Sequence, residues 1–129
     1  MALETDNPSF QKGREMRRQL FGDASVERLD QADAFNEPLE NFVTKSCFGD
    51  TWSREGLTLR ERSLITLAVC AALGRNVPVK RMTKCAMQAG ASVEDIRETL
   101  LQTTLYIGVA GGVESWMHAA EALKEIEAY

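Results

Sequence analysis

The chain has one histidine, His118, among its 129 residues, so imidazole chemistry rests on a single position. It has three cysteines, Cys47, Cys70 and Cys85, and no CxxC pair. That spacing excludes a zinc knuckle and a dithiol redox centre, and no metal site is expected. Positive charge is also scarce: the net charge is -4 and the pI about 5.1. A nucleic-acid binder needs a surplus of Lys and Arg on one face, so no nucleic-acid partner is expected. The one basic cluster, Lys12, Arg14, Arg17 and Arg18, has Glu15 within it and reads as a solvated helix face. Long apolar runs are missing too. The longest, Leu64 to Leu73, is interrupted by Thr66 and is far too short to span a bilayer, so no membrane partner is expected. The first ten residues are polar and acidic, without the apolar core of a secretory signal. The expected compartment is the cytoplasm, where free buried thiols persist. Strand-type alternation, repeats and low-complexity tracts are absent.

What is present reads as helix. Hydrophobic residues make up 44% of the chain, which suits one globular domain over residues 1–129. Pro8 to Leu20 is a short amphipathic helix stopped by Gly22, and Val26 to Asp33 is ambiguous. Pro38 to Phe48 carries Leu39, Phe42, Val43 and Cys47 at a helical period, with Gly49 and Asp50 ending it. Pro78 opens a helix that ends before Gly90, with Val79, Met82, Ala86 and Ala89 as its stripe. Ser92, with Asp95 three residues on, caps a helix whose face carries Ile96, Leu100, Thr104 and Ile107. Gly108, Gly111 and Gly112 break the chain, and no Lys-Ser/Thr follows that would make them a phosphate loop. The last helix should turn Val113, Trp116, Met117, Ala120 and Leu123 inward.

The clearest element runs from about Leu59 to Leu73. Thr58 and Glu61 form a capping box, and Gly74 supplies a left-handed stop. Between them the helix is apolar nearly all round, so it should be buried on most sides. A bundle this small has too little partner surface for such a helix, which implies a homo-oligomer.

Three segments resemble the carboxymuconolactone decarboxylase family, within the alkyl hydroperoxidase-D-like superfamily. They are FGDASVERLDQADAF (21–35), FGDTWSREGLTLRERSLITLAVCAALGR (48–75) and AMQAGASVEDIRETLLQTTLYIGV (86–109). The resemblance implies a compact all-α helical bundle that assembles into rings, as a hexamer or trimer. It implies cofactor-independent decarboxylation of a small lactone, enol or aromatic-derived carboxylic acid, in aromatic catabolism. Loss of CO₂ leaves electrons that a conjugated lactone carbonyl can accept. The protein then has to clamp carboxylates, stabilise an oxyanion and return a proton to carbon.

The same resemblance marks three departures. Counting from Gly74 and from Gly90 places the family's usual histidine at Met82, within VKRMTKCA. The family's Tyr-x-Gly-x-Pro turn reads Tyr106, Gly108 and Ala110, and a glutamine common near Phe35 is replaced by Glu40. The peroxidase branch of the superfamily needs a CxxC pair, which this chain lacks; Cys85 alone cannot close an intramolecular disulfide.

Candidate site residues follow from this frame. Arg62, at the start of the central helix, suits substrate-carboxylate binding or a structural ion pair, and Arg54 divides the same way. Glu61 is explained by its cap. Glu40 is a replacement acid if it sits in an apolar pocket, and an ordinary helix glutamate if not. His118 shares a helix face with Glu114, Glu121 and Glu125 and reads either as a surface residue or as a donor turned into a pocket between subunits. Trp52, Met82, Phe48 and Tyr106 are candidates for lining the substrate pocket, with Trp116 beside them; plain core is their other reading. Isomerase, dehydratase or cyclase chemistry stays open, as does a non-catalytic binding or scaffold role.

Overall fold

The computed structural model describes residues 2–129, and every regular element among them is helical: seven α-helices and one π-helical segment. Contacts divide them into two compact units, one ending at Leu57 and one starting at Thr58.

In the first unit α1 (Pro8–Phe21) starts where Asn7 accepts hydrogen bonds from the Ser9 and Phe10 backbone N–H groups, with Pro8 pre-set for the first turn. Gly22, at φ 87°, ends it, and α2 (Asp23–Asp30) follows at once, resolving the ambiguous stretch as helix as far as Asp30. Next comes α3 (Glu37–Phe42), where Leu39 and Phe42 point outward and Asn41 is buried. Asn41 accepts from the Glu4 N–H and donates to the Ala2 carbonyl, tying down the N-terminal segment.

Gly49 and Asp50 do not end this helix as the sequence suggests. The winding widens into a π-helix (Val43–Thr51) that runs through both and closes at Trp52, whose N–H bonds the Cys47 carbonyl. This segment lies tight against α1. A Cβ on Gly13 would collide with the Thr44 carbonyl, and one on Gly49 with the Ser9 carbonyl. Two glycines therefore let the backbones of α1 and the π-helix touch.

The second unit holds α4 (Leu59–Ala72), α5 (Asn76–Gln88), α6 (Val93–Ile107) and α7 (Val109–Glu125). Both capping boxes form as expected, Thr58 with Glu61 and Ser92 with Asp95. On α5 the expected stripe holds at Val79, Met82 and Ala86, with Thr83 and Cys85 also buried. Two expectations need correction. α4 is not buried on most sides: Ser63, Leu67 and Ala71 face inward, while Ile65 and Val69 are each 51% exposed and Leu73 is 67% exposed. On α7 the inward face is Gly112, Ser115, Ala119, Ala122 and Leu123, and Val113 and Met117 are exposed.

The reason is close approach. A Cβ on Gly112 would strike the Thr104 side chain, so α7 meets α6 along its smallest residues and its larger ones turn outward. For the same reason only Gly108 (φ 97°) breaks the chain, and Gly111 and Gly112 lie within the helix.

Arg60 of α4 forks onto Asp95 of α6 at 3.0 and 2.6 Å. Asp95 also accepts from the Ser92 N–H, and together these bonds, Arg60 first, hold its carboxyl down from 3.8 to about 2. A carboxyl lowered in the folded state stabilises that state above its unfolded value, and the gain is lost as pH falls through the folded one. Acid titration of stability should thus show a decline between pH 3.8 and about 2 that is blunted in Asp95→Asn; an unchanged acid limb in that variant would refute the role. In the other unit, Gly49→Ala should destabilise by about 1–3 kcal/mol through forced backbone displacement. The check is denaturant unfolding together with amide exchange across residues 8–51.

Candidate functional site

The buried face of α1 runs Phe10, Gly13, Leu20. Helical spacing places Arg17 on the same stripe. Arg17 is accordingly not part of a solvated face: its side chain is 13% exposed. Its Nη1 donates to Glu40 Oε2 at 2.5 Å and to Thr44 Oγ1 at 3.1 Å. The guanidinium also lies 5.9 Å from the centre of the Phe48 ring, within reach of a cation–π contact. Phe48 meets Phe21 edge-on at 5.6 Å and Trp52 at 6.0 Å. The first unit therefore gathers Glu40, Phe48 and Trp52 around Arg17. The rest of the basic cluster behaves as read from sequence. Arg14 grips Asp30 at the surface, Arg18 lies near Glu15 and Asp23, and Lys12 is exposed.

Glu40 is neither a free surface glutamate nor set in an apolar pocket. It is 25% exposed and its carboxylate accepts from a guanidinium. Cys47 belongs to the same π-helix; burial pushes its thiol up, against a hydrogen bond from Trp52 and the charge of Arg17. Trp52 is buried, Phe48 half-buried, and Arg54 exposed on the turn that follows.

The second unit spreads its candidates over four helices. Arg62 is half-buried in the first turn of α4, one residue after Glu61. Glu61 does what its cap requires: Oε1 accepts from the Thr58 N–H at 2.9 Å, and that bond holds its carboxyl below the usual range. Met82 is 6% exposed, inside the bundle on α5. Tyr106, on the last turn of α6, is 83% exposed. His118 on α7 is half-buried, with Nδ1 3.8 Å from Glu121 Oε2 on the same helix. The other two carboxylates of that face serve α5. Glu114 accepts from the Asn76 side chain, and Glu125 pairs with Lys80 and Lys84.

Among the described residues no three His, Cys, Asp or Glu side chains come together as a metal site. Cys85 is buried against Ser63 Oγ at 3.6 Å, and burial raises its thiol to about 11, which makes it a poor nucleophile. Among the described residues no helix is long and apolar enough to cross a membrane.

The family assignment rests on the sequence match as well as on this helical architecture. The profile of the carboxymuconolactone decarboxylase family matches residues 37–125. This chain belongs to that family. It is 30% identical to a 4-carboxymuconolactone decarboxylase of Acinetobacter baylyi over 122 residues, 94% of this chain and 91% of the relative. It is 26% identical to a nitrosuccinic acid decarboxylase of Metarhizium robertsii over 118 residues, 91% of this chain and 82% of the relative. The family match begins at Glu37 and so takes in Glu40, Phe48, Trp52, Arg62 and Met82, but it leaves out Arg17.

Arg17 was hidden in the sequence by its charged neighbours, although the spacing Phe10, Gly13, Arg17, Leu20 already put it on the apolar stripe. Arg17→Met leaves the half-buried Glu40 without its partner and should cost about 1–3 kcal/mol. The double variant Arg17→Met/Glu40→Leu should recover part of that loss. Thermal unfolding of the three proteins reads this out, and additive losses would show that the two side chains do not act as a pair.

Proposed function

We propose that this protein is a cofactor-independent carboxy-lyase acting on a small carboxylic acid that carries its own electron sink. One observation carries the reading: two relatives aligned over nearly the whole chain are each named decarboxylases, for chemically different acids. A carboxylated lactone and a nitro diacid share one property. Each holds a group, lactone carbonyl or nitro, that can accept the electron pair left by departing CO₂. With such a substrate the protein's task is to bind anions, stabilise the developing negative charge and return a proton.

Arg62 and Arg54 are the proposed anion clamps, because a guanidinium fork matches a carboxylate. Trp52, Phe48, Met82 and Tyr106 are the proposed lining. The proton comes from His118, or from Glu40 once substrate draws Arg17 away and lets its carboxylate take up a proton, since the methionine at position 82 has no proton to transfer. The exposed aliphatic faces of α4, α6 and α7 support assembly with further copies of the chain, as a hexamer or trimer in the cytoplasm. Covering one aliphatic side chain contributes about 1.5–3 kcal/mol. Met82 also favours a second reading, a non-catalytic binding member of the family, because it removes the usual histidine from a buried position.

Turnover assays separate the two. Purified protein incubated with 4-carboxymuconolactone or nitrosuccinate should release CO₂, and Arg62→Ala should abolish that release while the circular dichroism spectrum stays helical. Gain of turnover only in Met82→His would assign the native chain to the binding role. Among the donors, Glu40→Gln or His118→Ala should shift the pH–rate profile; two unchanged profiles would rule out both residues.

A further inference from the structure

The second unit contains a cavity of about 110 Å³ that holds, of the aromatic residues weighed above as pocket lining, Trp116 alone, and none of the proposed anion clamps or proton donors. It lies between α6 and α7. Ile96, Leu100, Ala119 and Leu123 form its buried floor. The void exists because α7 places two alanines in succession, Ala119 and Ala120, on the wall where larger side chains would fill it. Trp116 supplies an aromatic wall. The mouth is polar. Arg97 and Tyr129 line it, and the Lys124 ammonium sits 5.8 Å from the centre of the Tyr129 ring.

We infer that this cavity is a binding site for a small ring-bearing carboxylate, with the ring against Trp116 and the carboxylate on Arg97. Size supports the ring, since an apolar cavity of roughly 150 Å³ admits benzene. This cavity is somewhat smaller but open at its mouth, so the ring enters and the polar end stays outside. Charge supports the carboxylate. Arg97 is half exposed and already holds an anion, the Glu94 carboxylate one turn earlier. A ligand carboxylate replaces Glu94 as the partner of the guanidinium fork, and Lys124 adds a second positive charge at the mouth. The site is independent of the decarboxylase reading. It requires no turnover and uses neither Arg62 nor Met82.

Benzoate is the probe, followed by the indole N–H signals of Trp116 and Trp52 in a two-dimensional NMR titration of the full chain. Trp116→Phe assigns the signals, and Trp52 serves as an internal reference. The expected result is a saturable shift of the Trp116 signal alone. Arg97→Gln should weaken benzoate by about tenfold, the effect of one charge-assisted bond, while leaving benzyl alcohol unaffected. Glu94→Gln should tighten benzoate by releasing Arg97. Ala120→Leu should close the cavity to both compounds; if that variant does not fold, Arg97→Gln, altered at the surface, still decides. The inference is overturned if the Trp116 signal does not saturate, if only Trp52 responds, or if Arg97→Gln binds benzoate as tightly as the unaltered chain.

Discussion

Close helix approach through small side chains governs each unit. In the first, Gly13 and Gly49 let two backbones touch, and the π-winding of residues 43–51 lies at that contact. In the second, small residues, Ser63 and Ala71 on α4, Ala86 on α5, and Gly112, Ser115, Ala119 and Ala122 on α7, make up much of the inner faces, beside a few larger ones such as Leu67 and Val79. Helices that meet along glycine, alanine and serine sit close and gain dispersion contacts, but they bury little apolar surface per residue. Leu67, Val79, Met82, Ile96, Leu100 and Leu123 keep inner positions, and the remaining large aliphatic side chains find none. Ile65, Val69, Leu105, Val113 and Met117 end up on the outer faces. The exposed apolar surface of this chain is a geometric consequence of its tight seams.

That constraint also explains which buried polar groups survive. Close seams leave no room for water, so each polar side chain within them must find a partner in the protein. Ser63 donates to the Leu59 carbonyl and Thr83 to the Val79 carbonyl, one turn back in their own helices. Thr44 instead accepts from Arg17, whose other partner is Glu40. A guanidinium on the inner stripe of α1 is tolerable only because carboxylate, hydroxyl and aromatic ring all meet it. Arg17 therefore anchors the π-helix that carries Phe48 and Cys47 and ends at Trp52. Any chemistry assigned to those aromatic residues depends on an arginine from a different helix.

How much of this was legible in the sequence depends on the kind of signal. Caps were legible because they are local: Thr58 with Glu61 and Ser92 with Asp95 need only three-residue spacing and one turn of helix. Helix existence was legible for the same reason, as was the α5 stripe. The facing of α4 and α7 was not. Periodicity finds a stripe by its largest apolar residues, and here the buried stripe holds the small ones, so Val113 and Met117 drew the assignment that belongs to Ser115, Ala119 and Ala122. The π-helix was illegible because the close contact beside it joins Gly13 to a segment more than thirty residues further on. Arg17 and Glu40 were each visible as charges, yet their pairing is a tertiary fact. The α6/α7 cavity depended in turn on which face of α7 looked inward, so it could not be seen before that was known.

Met82 gains meaning from the same packing. It lies among Val79, Thr83, Cys85 and Ala86 on the inner face of α5, and it is almost fully enclosed. A histidine at such a place would be a desolvated imidazole, useful as a neutral donor but costly to charge. Methionine fills a similar volume with flexible, polarisable atoms and no hydrogen-bonding requirement. If the family's usual histidine belongs here, as the resemblance implies, methionine relieves a buried polar demand and leaves the helix face apolar. A decarboxylation whose substrate supplies its own electron sink can tolerate that loss more readily than a reaction needing general acid catalysis at every step. In the lyase reading the final proton returns after the bond to CO₂ has broken, and it can come from a donor on another element. What cannot be given up in that scheme is the cation that neutralises the acid. Arg62 and Arg54, rather than Met82, are therefore where the proposed activity stands or falls.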